Sequence, residues 1–159
     1  MRRSIPILSS PSGESSRRYA LWALARPDAL HPEAAALLSN GETEVVFSAA
    51  SVWEIAIKSA LGKLRVSSGH GESLFDIIER QPLTPLPVLH SHARKVGGLP
   101  HHHHDLFDRL LIAQAQIENL PVMTADDQFL PYDIEVIWAG PRKARTRRRE
   151  TPRRGPHSS

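Results

Sequence analysis

The chain has no cysteine, which excludes a disulfide framework, a thiolate zinc site and a thiol nucleophile. It has no apolar run long enough to cross a bilayer and no readable signal peptide, so a soluble, cytoplasmic protein without membrane contact is expected. No internal repeat is visible. The 159 residues fit one domain with a sizeable core. The net charge of +3 conceals an asymmetry, because residues 141–159 hold eight Lys or Arg against one Glu and residues 1–18 hold four Arg against one Glu. What remains, residues 19–140, carries −7. The prospective folded part is acidic, and the basic character belongs to the ends.

Residues 1–18 are rich in Pro, Ser and Gly and read as an irregular segment. Order is expected from Tyr19 onward. A short apolar helix at 21–24 is broken at Pro27, and a second helix follows over about 32–38. Residues 45–47, Val-Val-Phe, form a β-branched and aromatic run of strand length. The pattern then predicts a helix over 51–61 ending at Gly62, another over 72–80, a proline-limited extended segment at 82–88 and a short helix at 90–96. A long helix over 105–119 and strands at 121–123 and 134–138 complete the domain. Helices alternating with short unpatterned strands predict a parallel sheet covered on both faces. Residues 141–159 read as a disordered Arg-rich tail with nonspecific affinity for nucleic acid.

Within this pattern, acidic residues gather at helix starts and strand ends. Asp105 and Asp108 lie three residues apart at the head of the long helix, on one face. Glu54 follows the strand at 45–47, and Asp126 follows the strand at 121–123. Ligands of open α/β sheets bind outside the carboxyl ends of the strands, where these acids would converge. Each also has a structural reading: Asp105 as an N-cap, Ser51 and Glu54 as a capping box, Asp126 as a turn former. Together they form a cluster of hard oxygen donors, which suits Mg²⁺ or Mn²⁺ and the hydrolysis of phosphodiesters. Trp53, Ile57, Leu61, Ile112 and Ala113 have helical spacing and are expected in the core. Lys58 and Arg109 are read as part of a solvated helix face, with RNA phosphate contact as the alternative.

The segments SAASVWEIAIKSALGKL, HHHHDLFDRLLIAQA and MTADDQF, closed by Tyr132 and Val136-Ile137-Trp138, resemble the PIN-domain ribonucleases of the VapC toxin type. The resemblance covers roughly residues 19–138, in matching order. It implies a three-layer α/β/α domain with a short central parallel sheet flanked by helices, cutting RNA with Mg²⁺ or Mn²⁺. It also implies a homodimer neutralised by a cognate antitoxin protein. By motif match Glu54, Asp108 and Asp126 correspond to the acids that hold the metal, and Asp105 to an auxiliary catalytic acid.

The N-terminal region departs from that pattern. Aligning on Leu21-Trp22-Ala23-Leu24 puts Ser16 where the first acid of the family stands at the end of the first strand. Glu14 is nearby but lacks a strand framework, and Ile5-Pro6-Ile7-Leu8 is interrupted by proline, so the first strand is expected to be lost. A shifted frame or wrong start accounts for this best, with a divergent three-acid member as the other explanation. An inactive PIN-like protein that keeps its dimer or antitoxin surfaces is the functional alternative. In the run His101–His104, His103 matches the His of the family's His-x-Asp motif by resemblance; four histidines at a helix start can bind Ni²⁺ or Zn²⁺ adventitiously, and they are given no catalytic metal. Leu106 replaces the proline of the motif, a mild change because proline there only presets helical φ.

Overall fold

Four consecutive buried residues, Val45–Ser48, form a strand with no solvent face, and a strand so enclosed needs layers on both sides of its sheet. The computed structural model describes residues 7–8, 30–63 and 74–140. Within them the order is β1 (Ile7–Leu8), α1 (Pro32–Ser39), β2 (Val45–Ser48), α2 (Ala49–Ala60), α3 (Leu74–Glu79) and β3 (Leu83–Leu86). Then come α4 (His90–Val96), α5 (Leu106–Glu118), β4 (Val122–Thr124), a 3₁₀ turn (Asp127–Phe129) and β5 (Val136–Trp138). The five strands lie in the order β3-β2-β1-β4-β5 and are parallel throughout.

Side chains alternate across the sheet and divide the core in two. Val45, Phe47, Met123 and Ile137 pack with Leu30, Ala34 and Ile55 on one face. Val46 and Val122 pack on the other with Leu111, Ile112, Ala113, Phe129 and Tyr132. The result is the expected α/β/α arrangement, with α1 on the first face and α5 on the second. Fully buried Leu111 and Ile112 each contribute about 1.5–3 kcal/mol. Between the layers Ser48 Oγ donates to Gln114 Oε1 at 2.6 Å, and Gln114 Nε2 donates to the Pro87 carbonyl at 3.1 Å, so these buried polar groups are satisfied. His92, fully buried on α4, accepts the Leu89 N–H at Nδ1 (3.0 Å) and reaches Glu118 Oε1 on α5 at 2.8 Å. Among the described residues, no helix is long and apolar enough to cross a membrane.

Three expectations are corrected. The irregular reading of residues 1–18 fails at Ile7–Leu8, which form the central strand: Ile7 pairs with Val46 on one side and Val122 on the other, and Leu8 with Met123. Two residues are too few to display a periodic pattern, and proline is tolerated just before a strand; pairing on both sides makes the strand. The N-cap of α2 is Ser48, whose Oγ accepts the Ala50 N–H at 3.0 Å. Ser51 and Glu54 therefore lie inside the helix and form no capping box. Trp53, Ile57 and Leu61 are 59%, 36% and 62% exposed, whereas Ile112 and Ala113 are buried as expected. The buried stripe of α2 runs through Ala50, Ser51, Glu54 and Ile55, and the next residue round a helix turns by about 100°. The helix expected at 21–24, the positions Glu14 and Ser16, and the tail lie outside the described residues.

Candidate metal centre

The strand order reverses about β1, so the switch point of the sheet lies between β1 and β4, and the carboxyl end of β4 opens onto it. Thr124 ends β4, and its Oγ1 accepts the Asp126 N–H at 3.1 Å, which turns the chain and presents the Asp126 carboxylate. Asp126 Oδ1 caps the following 3₁₀ turn by accepting the Gln128 N–H at 2.9 Å. Oδ2 accepts from His103 Nε2 at 3.2 Å.

Helix α5 supplies the second acid. Asp105 is its N-cap, with Oδ1 accepting the N–H groups of Phe107 (2.9 Å) and Asp108 (3.2 Å). Asp108 sits in the first turn, fully buried, where the positive end of the helix dipole favours a carboxylate. Its Oδ2 is 3.2 Å from His103 Nε2. One atom of each of His103, Asp108 and Asp126 lies within 4.8 Å of the others. The structure therefore brings Asp108 and Asp126 together from two separate segments.

The two remaining expected acids are placed differently. Asp105 is outside this group, and its carboxylate is engaged in capping α5. Glu54 is also outside it. It is fully buried on α2, with Oε1 paired to Lys58 Nζ and Oε2 without a hydrogen-bond partner among the described residues. α2 and α5 meet beside the site, where Trp53 stacks edge-on against Phe107 with centroids 5.0 Å apart; these are the neighbours of Glu54 and Asp108. The buried carboxylate of Asp108 and the half-buried carboxylate of Asp126 are a pair of hard-oxygen donors, the donor type that fits a divalent cation such as Mg²⁺ or Mn²⁺.

Two residues acquire roles that sequence reasoning did not give them. His103 is 2% exposed, whereas His101, His102 and His104 in the same run are exposed. Arg109, expected on a solvated helix face, is instead 5% exposed and donates to the carbonyls of Val96 (3.0 Å), Leu99 (3.1 Å), Pro100 (2.8 Å) and His103 (3.3 Å). Tyr132 Oη accepts the His103 N–H and donates to Pro100 O, both at 2.8 Å. Arg109 and Tyr132 thus clamp the loop that carries His103. The sequence held a signal for Arg109, since it lies three and four residues before the core residues Ile112 and Ala113 and shares their face.

No curated protein matches the chain closely enough to support a relationship. Among solved structures, the chain is similar to one in the crystal structure of VapBC2 from Rickettsia felis bound to a DNA fragment from their promoter. The TM-score is 0.58 with 16% sequence identity, over 85% of this chain and 98% of that one, a likeness of fold. The PIN domain family matches residues 19–135, a span that includes Glu54, Asp105, Asp108 and Asp126. From its sequence over that span, and from the parallel α/β/α architecture that gathers two of these acids at one sheet edge, the chain belongs to the PIN domain family.

Proposed function

We propose that the chain is a VapC-type endoribonuclease, the toxin of a toxin–antitoxin pair, hydrolysing RNA phosphodiesters with Mg²⁺ or Mn²⁺ held by Asp108, Asp126 and Glu54. The observation that carries this reading is the approach of Asp108 and Asp126, from α5 and the end of β4, at the switch point of the sheet. Bound there, the cation would lower the pKa of a water molecule and offset the charge of the phosphate. The residues of the chain supply the rest. Asp105 fixes the first turn of α5 and with it Asp108; Thr124 aims Asp126; Lys58 holds Oε1 of Glu54, so Oε2, which has no hydrogen-bond partner among the described residues, would be the oxygen offered to the cation.

The proposed protein partner is a small antitoxin, by analogy with the VapBC2 complex, alongside RNA as substrate and a second copy of the chain. Exposed Trp53, Ile57, Leu61 and Leu106 offer an apolar surface for a protein partner to cover. The family's first acid has no counterpart here. Serine stands at position 16 by motif alignment, and Ser9 follows directly on β1. Turnover should therefore be slow.

The test is cleavage of single-stranded RNA by the purified full chain with Mg²⁺ or Mn²⁺. We expect slow, metal-dependent cleavage that Asp108→Asn abolishes and Ser9→Asp accelerates. Failure of both the parent and Ser9→Asp to cut RNA with either metal would overturn the nuclease reading and leave an inactive PIN-like binding protein.

A further inference from the structure

Three ligand-capable atoms within 4.8 Å, from His103, Asp108 and Asp126, invite the reading of a mixed nitrogen and oxygen metal site. The hydrogen bonds around the imidazole point elsewhere. His103 Nδ1 accepts the backbone N–H of Asp105 at 3.1 Å, so that nitrogen presents its lone pair and the ring hydrogen resides on Nε2. Nε2 then faces Asp126 Oδ2 at 3.2 Å as a donor, with Asp108 Oδ2 at the same distance. A nitrogen that carries a hydrogen has no lone pair for a metal. For Nε2 to coordinate, the hydrogen would have to move to Nδ1, and the Asp105 N–H at the head of α5 would lose its acceptor.

The surroundings hold the ring in this orientation. Phe129, fully buried, packs edge-on against it at a centroid separation of 5.3 Å. The backbone of His103 is fixed on both sides, its N–H donating to Tyr132 Oη and its carbonyl accepting from Arg109 Nη1. We propose that His103 is a positioning residue, which donates from Nε2 to Asp126 and keeps that carboxylate beside Asp108, and that it does not itself coordinate the cation. This inference rests on the metal-site reading above. It assigns a task to one histidine of the four and leaves the other three as exposed residues.

The experiment uses full-length protein carrying His101→Ala, His102→Ala and His104→Ala, so that the exposed histidines take up no metal. Mn²⁺ affinity is measured for this parent and with His103→Gln, His103→Leu or Asp108→Asn added. Electron spin-echo modulation reports whether a ¹⁴N nucleus is coordinated to the bound Mn²⁺. Glutamine keeps an N–H donor near the place of Nε2 but has no imidazole nitrogen. We expect His103→Gln to bind within about threefold of the parent and His103→Leu to bind about 10–100-fold more weakly, the usual cost of losing a partner that orients a ligand. We also expect no coordinated ¹⁴N in the parent. In ¹⁵N-histidine spectra of the metal-free protein, the resonance lost in His103→Gln should show the Nε2–H tautomer. Directly coordinated ¹⁴N, an Nδ1–H tautomer, or equal weakening by Gln and Leu would overturn the inference while leaving the metal site intact. If the parent takes up no Mn²⁺, or if Asp108→Asn binds it equally well, the metal site falls and this inference with it.

Discussion

Replacing Arg109 by methionine removes a buried guanidinium while nearly preserving the volume of its stem. The four carbonyls it serves belong to Val96, Leu99, Pro100 and His103, and its bonds to Leu99 and His103 are fully buried. Each buried acceptor left without a donor costs about 1–3 kcal/mol. The two buried ones alone imply a loss of roughly 2–6 kcal/mol, offset in part by relief of the desolvation of the charge. We expect Arg109→Met to destabilise by about 3–4 kcal/mol, read from urea denaturation, with a thermal midpoint lowered on the order of 10 °C. Arg109→Lys should recover only part of this, because an ammonium cannot spread its donors over four carbonyls as the planar fork does. A loss below about 1 kcal/mol for Arg109→Met would refute the clamp and restore the solvated-face reading.

The contrast between buried and exposed apolar residues gives a second prediction: Ile112→Ala should cost about 2–5 kcal/mol, whereas Leu61→Ser, at the exposed C-cap just after α2, should change stability by no more than about 0.5 kcal/mol in the isolated chain. Chemical denaturation of the two variants checks it. Asp105→Ala should cost about 1 kcal/mol through loss of the α5 cap, and Asp105→Asn, which can still cap, should cost much less; melting curves distinguish this from a residue needed only for chemistry.

The elements that carry many residues of consistent pattern were legible in the sequence. The β-branched run at 45–47, the apolar period after Asp108 and the prolines around β3 each constrain the backbone locally, and the helices and strands they imply are present. The pairing of Asp108 with Asp126 was also legible, because both follow from chain position relative to a strand end or helix start. Features decided by tertiary contact were not. β1 is a strand because β2 and β4 flank it, not because Ile7 and Leu8 display a pattern. Helical spacing puts Trp53, Ile57 and Leu61 on one face but does not say which way that face points. The motif match singles out His103 among four identical histidines but does not show what its side chain meets; that is decided by Tyr132, Asp105 and Phe129, which lie on other segments or further along the chain. Arg109 seeks carbonyls in a loop whose path the sequence does not reveal.

The central claim is that Asp108 and Asp126 form a divalent-cation site in the folded chain. Thermal unfolding of the parent and of Asp108→Asn across a Mn²⁺ series tests it most directly, since an ion bound only by the native state stabilises by about 2.7 kcal/mol at one hundred times its Kd. Without metal, Asp108→Asn should melt no lower than the parent, because it removes one of two adjoining carboxylates from a buried position. With Mn²⁺, the parent midpoint should rise with concentration and that of Asp108→Asn should stay flat. An equal rise in both proteins, or none in the parent, would contradict the account.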